Sequence, residues 1–244
     1  MDPVKYMFGK WVYGYSVTMS VAGLLGLDPG RTLWLIGSGF GETAMMIHRS
    51  TGARVNGFEL IPALVERGNI RVAGRGLAGK IHFYHLPHLF QMDCSYCDAA
   101  LFESILCFVD APENLFLRVV DCLKTGCRIG VVELIWTQEP THCDLANLHQ
   151  LFGGDITPKK YVDWENFFTT KNLKVVVKSV RKIGLLRKFW QDVSEAPFTT
   201  MSNLVKTWYR LAGSPKDREA WKSFRSLYIL FGEKLGVGCF VLEK

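Results

Sequence analysis

The pentapeptide GSGFG at residues 37–41 contains the residues best placed to do chemistry in this sequence. It directly follows the apolar run 33–36, which predicts a buried strand, and directly precedes residues 42–49, which predict a helix. Glycines at such a turn let the main chain bend tightly and bring its N–H groups close to a ligand at the helix N-terminus. The pentapeptide therefore predicts a loop that binds a nucleotide cofactor.

The residue after this loop distinguishes between two kinds of cofactor. A dinucleotide fingerprint is G-x-G-x-x-G/A, with the pyrophosphate at the helix N-terminus. Glu42 occupies the sixth position here, and its carboxylate would repel phosphate groups. S-adenosylmethionine has a cationic sulfonium and no phosphate. Glu42 therefore favours S-adenosylmethionine over NAD or FAD.

A second acidic residue strengthens this interpretation. Glu59 follows the predicted strand 53–58 and lies 20 residues after Gly39. A carboxylate at the end of the second strand can accept two hydrogen bonds from ribose hydroxyls. Loop and carboxylate together predict binding of an adenosyl cofactor; the structural alternative is a tight turn and a solvated glutamate.

At these residues the sequence resembles the class I S-adenosylmethionine-dependent methyltransferases, and the resemblance covers most of the chain. The segments that carry it are 33–41, 55–59, 98–101 and 123–126. The closing segment 236–240 is similar to the small-molecule branch that includes phosphoethanolamine and sarcosine methyltransferases. The resemblance implies methyl transfer to a small molecule, with S-adenosylhomocysteine as the second product.

The resemblance also implies cofactor contacts at the loop and after the second, third and fourth strands. These residues are Gly37, Ser38, Gly39, Gly41, Glu59, Leu60, His85, Leu86 and Phe102. Three positions depart from the family pattern: Leu35 and His85 replace common acidic residues, and Cys107 replaces a histidine of the phosphoethanolamine enzymes. These departures leave open a non-catalytic, cofactor-binding or interaction protein as an alternative.

Candidates on the acceptor side follow from the rule that ligands bind beyond the carboxyl ends of strands in open α/β sheets. Glu103 and Glu133 are the predicted catalytic carboxylates, able to bind a cation or take a proton, although each could equally be a satisfied polar group. Tyr13 is a third catalytic candidate, and Tyr15 and Trp136 are candidates for substrate contact. The alternation of aromatic residues near Tyr13 is also typical of ordinary amphipathic packing.

Short apolar runs that alternate with amphipathic stretches predict an α/β fold in which helices cover both faces of a mostly parallel sheet. We expect a Rossmann-like, seven-stranded sheet with an antiparallel last strand, an antiparallel edge formed by the two final strands, and a C-terminal helical cover. The predicted strands are 33–36, 53–58, 81–84, 99–101, 128–135, 173–180 and 237–242, and the predicted helices are 42–49, 62–73, 113–123, 163–170 and three more within 186–231.

The whole chain is predicted to form one domain. Residues 1–30 would supply lid helices, 31–136 the cofactor-binding core, and 137–244 the substrate-side helices and the last two strands. At 244 residues with 48% apolar content, the chain can bury a sizeable core and is not intrinsically disordered. It has no apolar run of the roughly 18–20 residues that a membrane span needs, and its N-terminus lacks a secretory pattern. We expect a soluble, cytoplasmic protein.

The charge is unevenly distributed. Residues 1–150 contain 12 basic and 14 acidic side chains, whereas residues 151–244 contain 17 and 9. The basic C-terminal third leaves RNA or protein methylation as an alternative. Because its basic residues alternate with apolar ones and no nucleic-acid module is visible, solvated helix faces are favoured and a nucleic-acid partner is not expected.

Metal binding is not predicted. The seven cysteines have no framework spacing, and the single CxxC at 94–97 has no second pair. His82, His85 and His88 recur every third residue but span Pro87, so they would run from a strand into a loop.

Overall fold

One mixed sheet organises the chain, for which a computed structural model describes residues 14–92, 97–152, 156–171, 173–182, 213 and 234–244. The strands are β1 (Thr32–Ile36), β2 (Arg54–Glu59), β3 (Ile81–His85), β4 (Cys97–Glu103), β5 (Leu123–Trp136), β6 (Lys159–Lys160), β7 (Lys174–Lys182) and β8 (Leu235–Glu243). The helices are α1 (Tyr15–Ala22), α2 (Glu42–Thr51), α3 (Pro62–Ala73), α4 (Pro112–Cys122), α5 (His142–Phe152) and α6 (Tyr161–Thr170), with 3₁₀ turns at Leu86–Gln91 and Leu106–Phe108.

The strand order is β3-β2-β1-β4-β5-β8-β7, with β6 paired to the end of β5. Strands β1 to β5 are parallel, and β8 is antiparallel to both β5 and β7. The predicted Rossmann-like sheet with an antiparallel last strand is therefore confirmed. The two final strands form the predicted antiparallel edge: β8 lies between β5 and β7, and β7 is the outermost strand.

The centre of the sheet is apolar on both faces because helices cover both. All four residues from Leu33 to Ile36 have no exposed surface, which is typical of a parallel strand within a covered sheet. Leu35, which departs from the family pattern, contributes to this core. Packing in the core therefore explains why an apolar residue occupies this position.

The helix α1 lies on the sheet beside β5. Gly130 of β5 has no side chain, and a Cβ there would lie 2.6 Å from Val21 Cγ1 and 2.8 Å from Leu101 Cδ1. This close approach brings α1 against the sheet, and its first residue, Tyr15, belongs to the predicted lid region. Residues 1–13 and most of the predicted helical cover at 186–231 lie outside the described residues.

Helix α5 is an element that the sequence pattern did not predict. The predicted helices over 42–49, 62–73, 113–123 and 163–170 correspond to α2, α3, α4 and α6.

Within the described part of the chain, no helix has the length and apolar character needed to cross a membrane.

Candidate active site at the carboxyl edge of the sheet

The loop between β1 and α2 has a main-chain conformation that requires glycine. Gly37, Gly39 and Gly41 have φ angles of 88°, 56° and 83°, which lie in the left-handed region. A Cβ at Gly37 would lie 2.5 Å from the carbonyl oxygen of Glu103. A Cβ at Gly41 would overlap the ring of Phe83. Conformation and close approach together account for the glycine-rich sequence.

The carboxylate of Glu59 connects this loop to the start of α3. Its Oε2 accepts a hydrogen bond of 2.7 Å from the Gly39 N–H. Its Oε1 accepts bonds from the N–H groups of Leu60, at 2.7 Å, and Ile61, at 3.2 Å. Glu59 has no exposed surface. The predicted loop and the predicted acidic residue therefore meet, and the binding of ribose by Glu59 stays a prediction.

The end of β3 brings two more predicted cofactor residues to the same edge. His85 pairs with Glu59 in the β2–β3 register. The exposed His85 ring places Nε2 3.0 Å from the carbonyl oxygen of Leu60. Leu86 is buried in the 3₁₀ turn that follows. Leu60, His85 and Leu86 thus form a group beside Glu59.

Glu103, at the end of β4, lies where three elements meet. Its Oε1 accepts hydrogen bonds from the hydroxyls of Thr18 on α1, at 2.9 Å, and Thr43 on α2, at 3.1 Å. Glu103 is only 1% exposed. The side chain of its neighbour Phe102 packs in the core, with its ring 5.2 Å from that of Phe116. The ring of Phe102 is therefore part of the core.

Glu133 on β5 is buried and bound to the main chain. Its Oε1 accepts bonds from the N–H groups of Ile105, at 2.6 Å, and Leu106, at 2.8 Å. Its Oε2 is buried and has no hydrogen-bond partner among the described residues. Burial raises the pKa of Glu133 to about 7, although both N–H bonds favour the ionised form. The same environment, and the charge of Glu133, raise the pKa of the Cys107 thiol well above its usual range.

Of the two predicted substrate residues, Tyr15 is half-buried and Trp136 is buried. Burial raises the pKa of the Tyr15 phenol to about 12, and the charges of Glu103 and Glu42 add to the effect. The phenol is therefore protonated at neutral pH. Trp136 ends β5, is 3% exposed and pairs with Leu235 of β8. Tyr13 lies outside the described residues.

The chain was compared with protein families, curated proteins and solved structures. No protein-family profile matches the chain. A sterol 24-C-methyltransferase of Yarrowia lipolytica is 27% identical over 210 residues, which are 83% of this chain and 49% of that protein. The chain thus spans about half the length of this curated relative.

Solved structures share the fold at lower identity. A SAM-dependent methyltransferase from Thiobacillus denitrificans, in complex with S-adenosyl-L-homocysteine, has a TM-score of 0.68 and 18% identity, covering 98% of this chain and 96% of that one. A geranyl diphosphate C-methyltransferase from Streptomyces coelicolor A3(2) has a TM-score of 0.68 and 17% identity, covering 93% and 78%. At these identities the solved structures show that the chain shares the fold of these S-adenosylmethionine-dependent methyltransferases.

The structure adds residues to this candidate site that the sequence did not indicate. Thr18 and Thr43 hold Glu103, and the ring of Phe83 lies beneath the glycine loop. Arg71 of α3 forms an ion pair with Glu42. A buried threonine within a helix leaves no recognisable pattern in the sequence. The bonds from these two threonines to Glu103 could therefore not be predicted. The positive charge of Arg71 thus partly compensates the negative charge of Glu42.

Lysines of the C-terminal third and histidines in and after the third strand contact other side chains of the protein. Lys159, Lys160 and Lys178 form ion pairs with Glu113, Glu139 and Glu165, respectively. Lys159 and Lys160 lie on β6 and Lys178 lies on β7, so the helix faces predicted for the basic residues of this third are wrong at these positions: they belong to strands. Within the described ranges, no three His, Cys, Asp or Glu side chains cluster in a way that could hold a metal ion. The rings of His82 and His88 instead contact Tyr84, at centroid distances of 4.9 and 5.4 Å.

Proposed function

We propose that this chain transfers a methyl group from S-adenosylmethionine to a small apolar acceptor. The observation that carries the proposal is the hydrogen bond from the Gly39 N–H to Glu59, because it joins the glycine loop to the predicted ribose-binding carboxylate. The similarity to a sterol 24-C-methyltransferase and the shared fold of an S-adenosylhomocysteine-bound methyltransferase support the same cofactor.

The described residues fit this cofactor chemically. The three glycines of the loop leave main-chain groups uncovered by side chains, and Glu59 supplies a carboxylate for hydroxyl groups. Leu60, His85 and Leu86 would lie on the adenine side. S-adenosylmethionine would supply an electrophilic methyl group on a sulfonium. The task of the protein is then to align acceptor and methyl group and to exclude water.

The acceptor side combines apolar side chains with carboxylates. The buried residues around the end of β4 and β5 are Phe102, Ile105, Leu106, Phe108 and Trp136. Glu42, Glu59, Glu103 and Glu133 are the carboxylates of the same edge. Negative charge in apolar surroundings favours an acceptor that becomes positive during the reaction and disfavours an anionic one.

An alkene carbon is the acceptor atom that best fits this environment, and the sterol and geranyl diphosphate carbon methyltransferases support that choice. The π electrons of the alkene would form the new C–CH₃ bond while the S–CH₃ bond breaks, which would release S-adenosylhomocysteine and leave the adjacent carbon positive. Loss of a proton from a neighbouring carbon then restores neutrality. Glu103 is the carboxylate that we assign to stabilise this charge and take that proton, with Thr18 and Thr43 fixing its orientation.

The test begins with calorimetric titration of S-adenosylmethionine and S-adenosylhomocysteine. We expect binding by the wild-type protein, loss of binding in Gly39→Arg, and unchanged binding in the control Gly126→Arg. Gly126 also has a positive φ, of 76°, but has no atoms within 4 Å of an added Cβ. Absence of binding by the wild type, or its survival in Gly39→Arg, would contradict the proposal.

The acceptor is tested with methyl-labelled S-adenosylmethionine and mass spectrometry of the products. The panel contains a sterol with a side-chain alkene, a neutral prenyl alcohol, a prenyl diphosphate, an amine and a thiol. We expect the neutral alkenes to be methylated on carbon and the diphosphate to react poorly. Cofactor binding without turnover of any acceptor would favour the non-catalytic alternative.

A further inference from the structure

The turn that follows Glu103 is held from the neighbouring strand β5. The N–H groups of Ile105 and Leu106 donate to Oε1 of Glu133, at 2.6 and 2.8 Å, and all three residues are buried. The N–H of Ser104 donates to the carbonyl oxygen of Val132 at 2.9 Å. Two successive residues of β5 therefore fix the path of the chain directly after β4.

The main-chain conformation of this turn is unfavourable, so hydrogen bonds from outside the turn are needed to stabilise it. Ser104 has a φ of 47° and is the one non-glycine residue with a positive φ in the described part of the chain. Such a conformation costs about 1–2 kcal/mol for an L-residue. The bonds to Glu133 and Val132 offset this cost in the observed path.

The turn also lies against the first glycine of the loop. A Cβ at Gly37 would be 3.0 Å from Ile105 Cβ and 2.5 Å from the carbonyl oxygen of Glu103. The carbonyl group of Glu103 and the side chain of Ile105 therefore lie directly against Gly37. A displacement of the turn would move Glu103 and disturb Gly37 together.

Glu133 is buried like Glu103, but it has different hydrogen-bond partners. Glu103 accepts side-chain hydroxyls of two helices, whereas Glu133 accepts two main-chain N–H groups of the turn. A general base must reach the proton that it removes, directly or through one water. The geometry instead suits a carboxyl group that anchors main chain.

We propose that Glu133 is a positioning residue, which anchors the turn 104–108 and thereby sets Glu103 against the glycine loop. This differs from the catalytic role that the sequence predicts for Glu133. The effect on turnover rests on the proposed methyl transfer, whereas the anchoring of the turn can be measured without it.

The experiment compares Glu133→Gln, which keeps an oxygen acceptor, with Glu133→Leu, which removes it. Hydrogen exchange of the peptide that contains residues 104–108 is followed by mass spectrometry. We expect slow exchange in the wild type and in Glu133→Gln, and fast exchange in Glu133→Leu. Turnover should stay within about threefold of wild type in Glu133→Gln and fall about a hundredfold in Glu133→Leu, since small misplacements near the chemistry have effects of that size.

Asp98→Ala is the matched control. The Asp98 carboxylate also accepts a strand-end N–H, from Thr32 at 2.9 Å, but it lies at the opposite end of β4. Its loss should lower stability without changing exchange at 104–108 or turnover. This control separates a local effect on the turn from a general loss of stability.

Two results would overturn the proposal. Unchanged protection of the turn in Glu133→Leu would show that Glu133 does not anchor it. Loss of turnover in Glu133→Gln with the turn still protected would make Glu133 a proton acceptor. If Glu133→Leu does not fold, Glu133→Gln alone decides between anchor and base. Absence of turnover in the wild type would count against the proposed function, while the exchange measurements would still decide the anchoring.

Discussion

The main-chain N–H of Gly39 donates a 2.7 Å hydrogen bond to the buried carboxylate of Glu59, 20 residues further along the chain. This bond closes the glycine loop of β1 onto the end of β2. The same carboxylate accepts the N–H groups of Leu60 and Ile61 at the start of α3. One side chain thus holds the loop and the following helix in a fixed relationship.

Substitutions of Glu59 should distinguish its proposed role in cofactor binding from its role in holding the glycine loop and the start of α3. Glu59→Gln keeps an acceptor but loses the charge, and we expect S-adenosylhomocysteine to bind about tenfold more weakly. Glu59→Ala leaves three N–H groups without their acceptor, so it should weaken binding about a hundredfold and lower the free energy of unfolding by about 1–3 kcal/mol. Calorimetry and urea unfolding measure the two effects. Wild-type affinity in Glu59→Gln and Glu59→Ala would leave Glu59 with the structural role alone.

Gly41 and Gly126 provide a matched pair for the packing beneath the loop. Both have a positive φ, of 83° and 76°, so alanine should cost about 1–2 kcal/mol at either position through conformation alone. Only at Gly41 would the new Cβ overlap the Phe83 ring, while no atoms lie within 4 Å at Gly126. We expect Gly41→Ala to lose about 1–3 kcal/mol more than Gly126→Ala.

The measurement is urea unfolding of both variants, together with the double variant Gly41→Ala/Phe83→Leu. A smaller side chain at residue 83 should recover part of the excess loss in Gly41→Ala, because it relieves the overlap. Equal stabilities of Gly41→Ala and Gly126→Ala would show that the ring moves aside at little cost.

Local signals in the sequence predicted much of the cofactor side. The apolar run 33–36, the glycines that follow it and Pro62 at the start of α3 each act within a few residues, so they defined β1, the loop and the helix. Glu59 could be placed because it ends a short strand. These features depend on periodicity and turn chemistry that are visible in the order of residues.

Contacts between distant residues could not be predicted in this way. Thr18 and Thr43 are 85 and 60 residues from Glu103, and no pattern in the sequence links them. The insertion of β8 between β5 and β7 likewise depends on pairings across the chain. The anchoring of the turn by Glu133 joins residues 27 and 28 positions apart. The acceptor side is built mainly from such contacts, which is why its residues were predicted only as candidates.

Thr18 and Thr43 should stabilise the protein through one shared acceptor. Valine at either position removes a buried hydroxyl donor to Glu103 Oε1, and we expect each change to cost about 1–2 kcal/mol. The two losses should not add in the double variant, because both hydroxyls bind the same oxygen. A double-mutant cycle by urea unfolding measures this coupling.

Thr169→Val is the control for the threonine variants. The Thr169 hydroxyl donates to carbonyl groups within its own helix and is exposed, so its loss should change stability by no more than about 0.5 kcal/mol. Additive effects of Thr18→Val and Thr43→Val would argue that the two hydroxyls stabilise their helices independently of Glu103.

Glu133 should make stability depend on pH in a direction opposite to that of a salt-bridged carboxylate. Burial raises its pKa in the folded protein to about 7 from an ordinary value of 4.5. Below the ordinary value, both folded and unfolded states hold the proton and there is no penalty. As the pH rises, the unfolded state releases the proton first, so the free energy of unfolding falls. The penalty is complete above about pH 7 and amounts to about 3 kcal/mol.

Glu133→Gln removes this titration and keeps the acceptor for Ile105 and Leu106. The difference in unfolding free energy between Glu133→Gln and wild type should therefore increase in favour of the variant between about pH 5 and pH 8. Urea unfolding of both proteins across that range measures the difference, from which all other titrating groups cancel. A difference that stays constant with pH would mean that Glu133 ionises in the folded protein as easily as in the unfolded chain. The two N–H bonds would then outweigh the effect of burial.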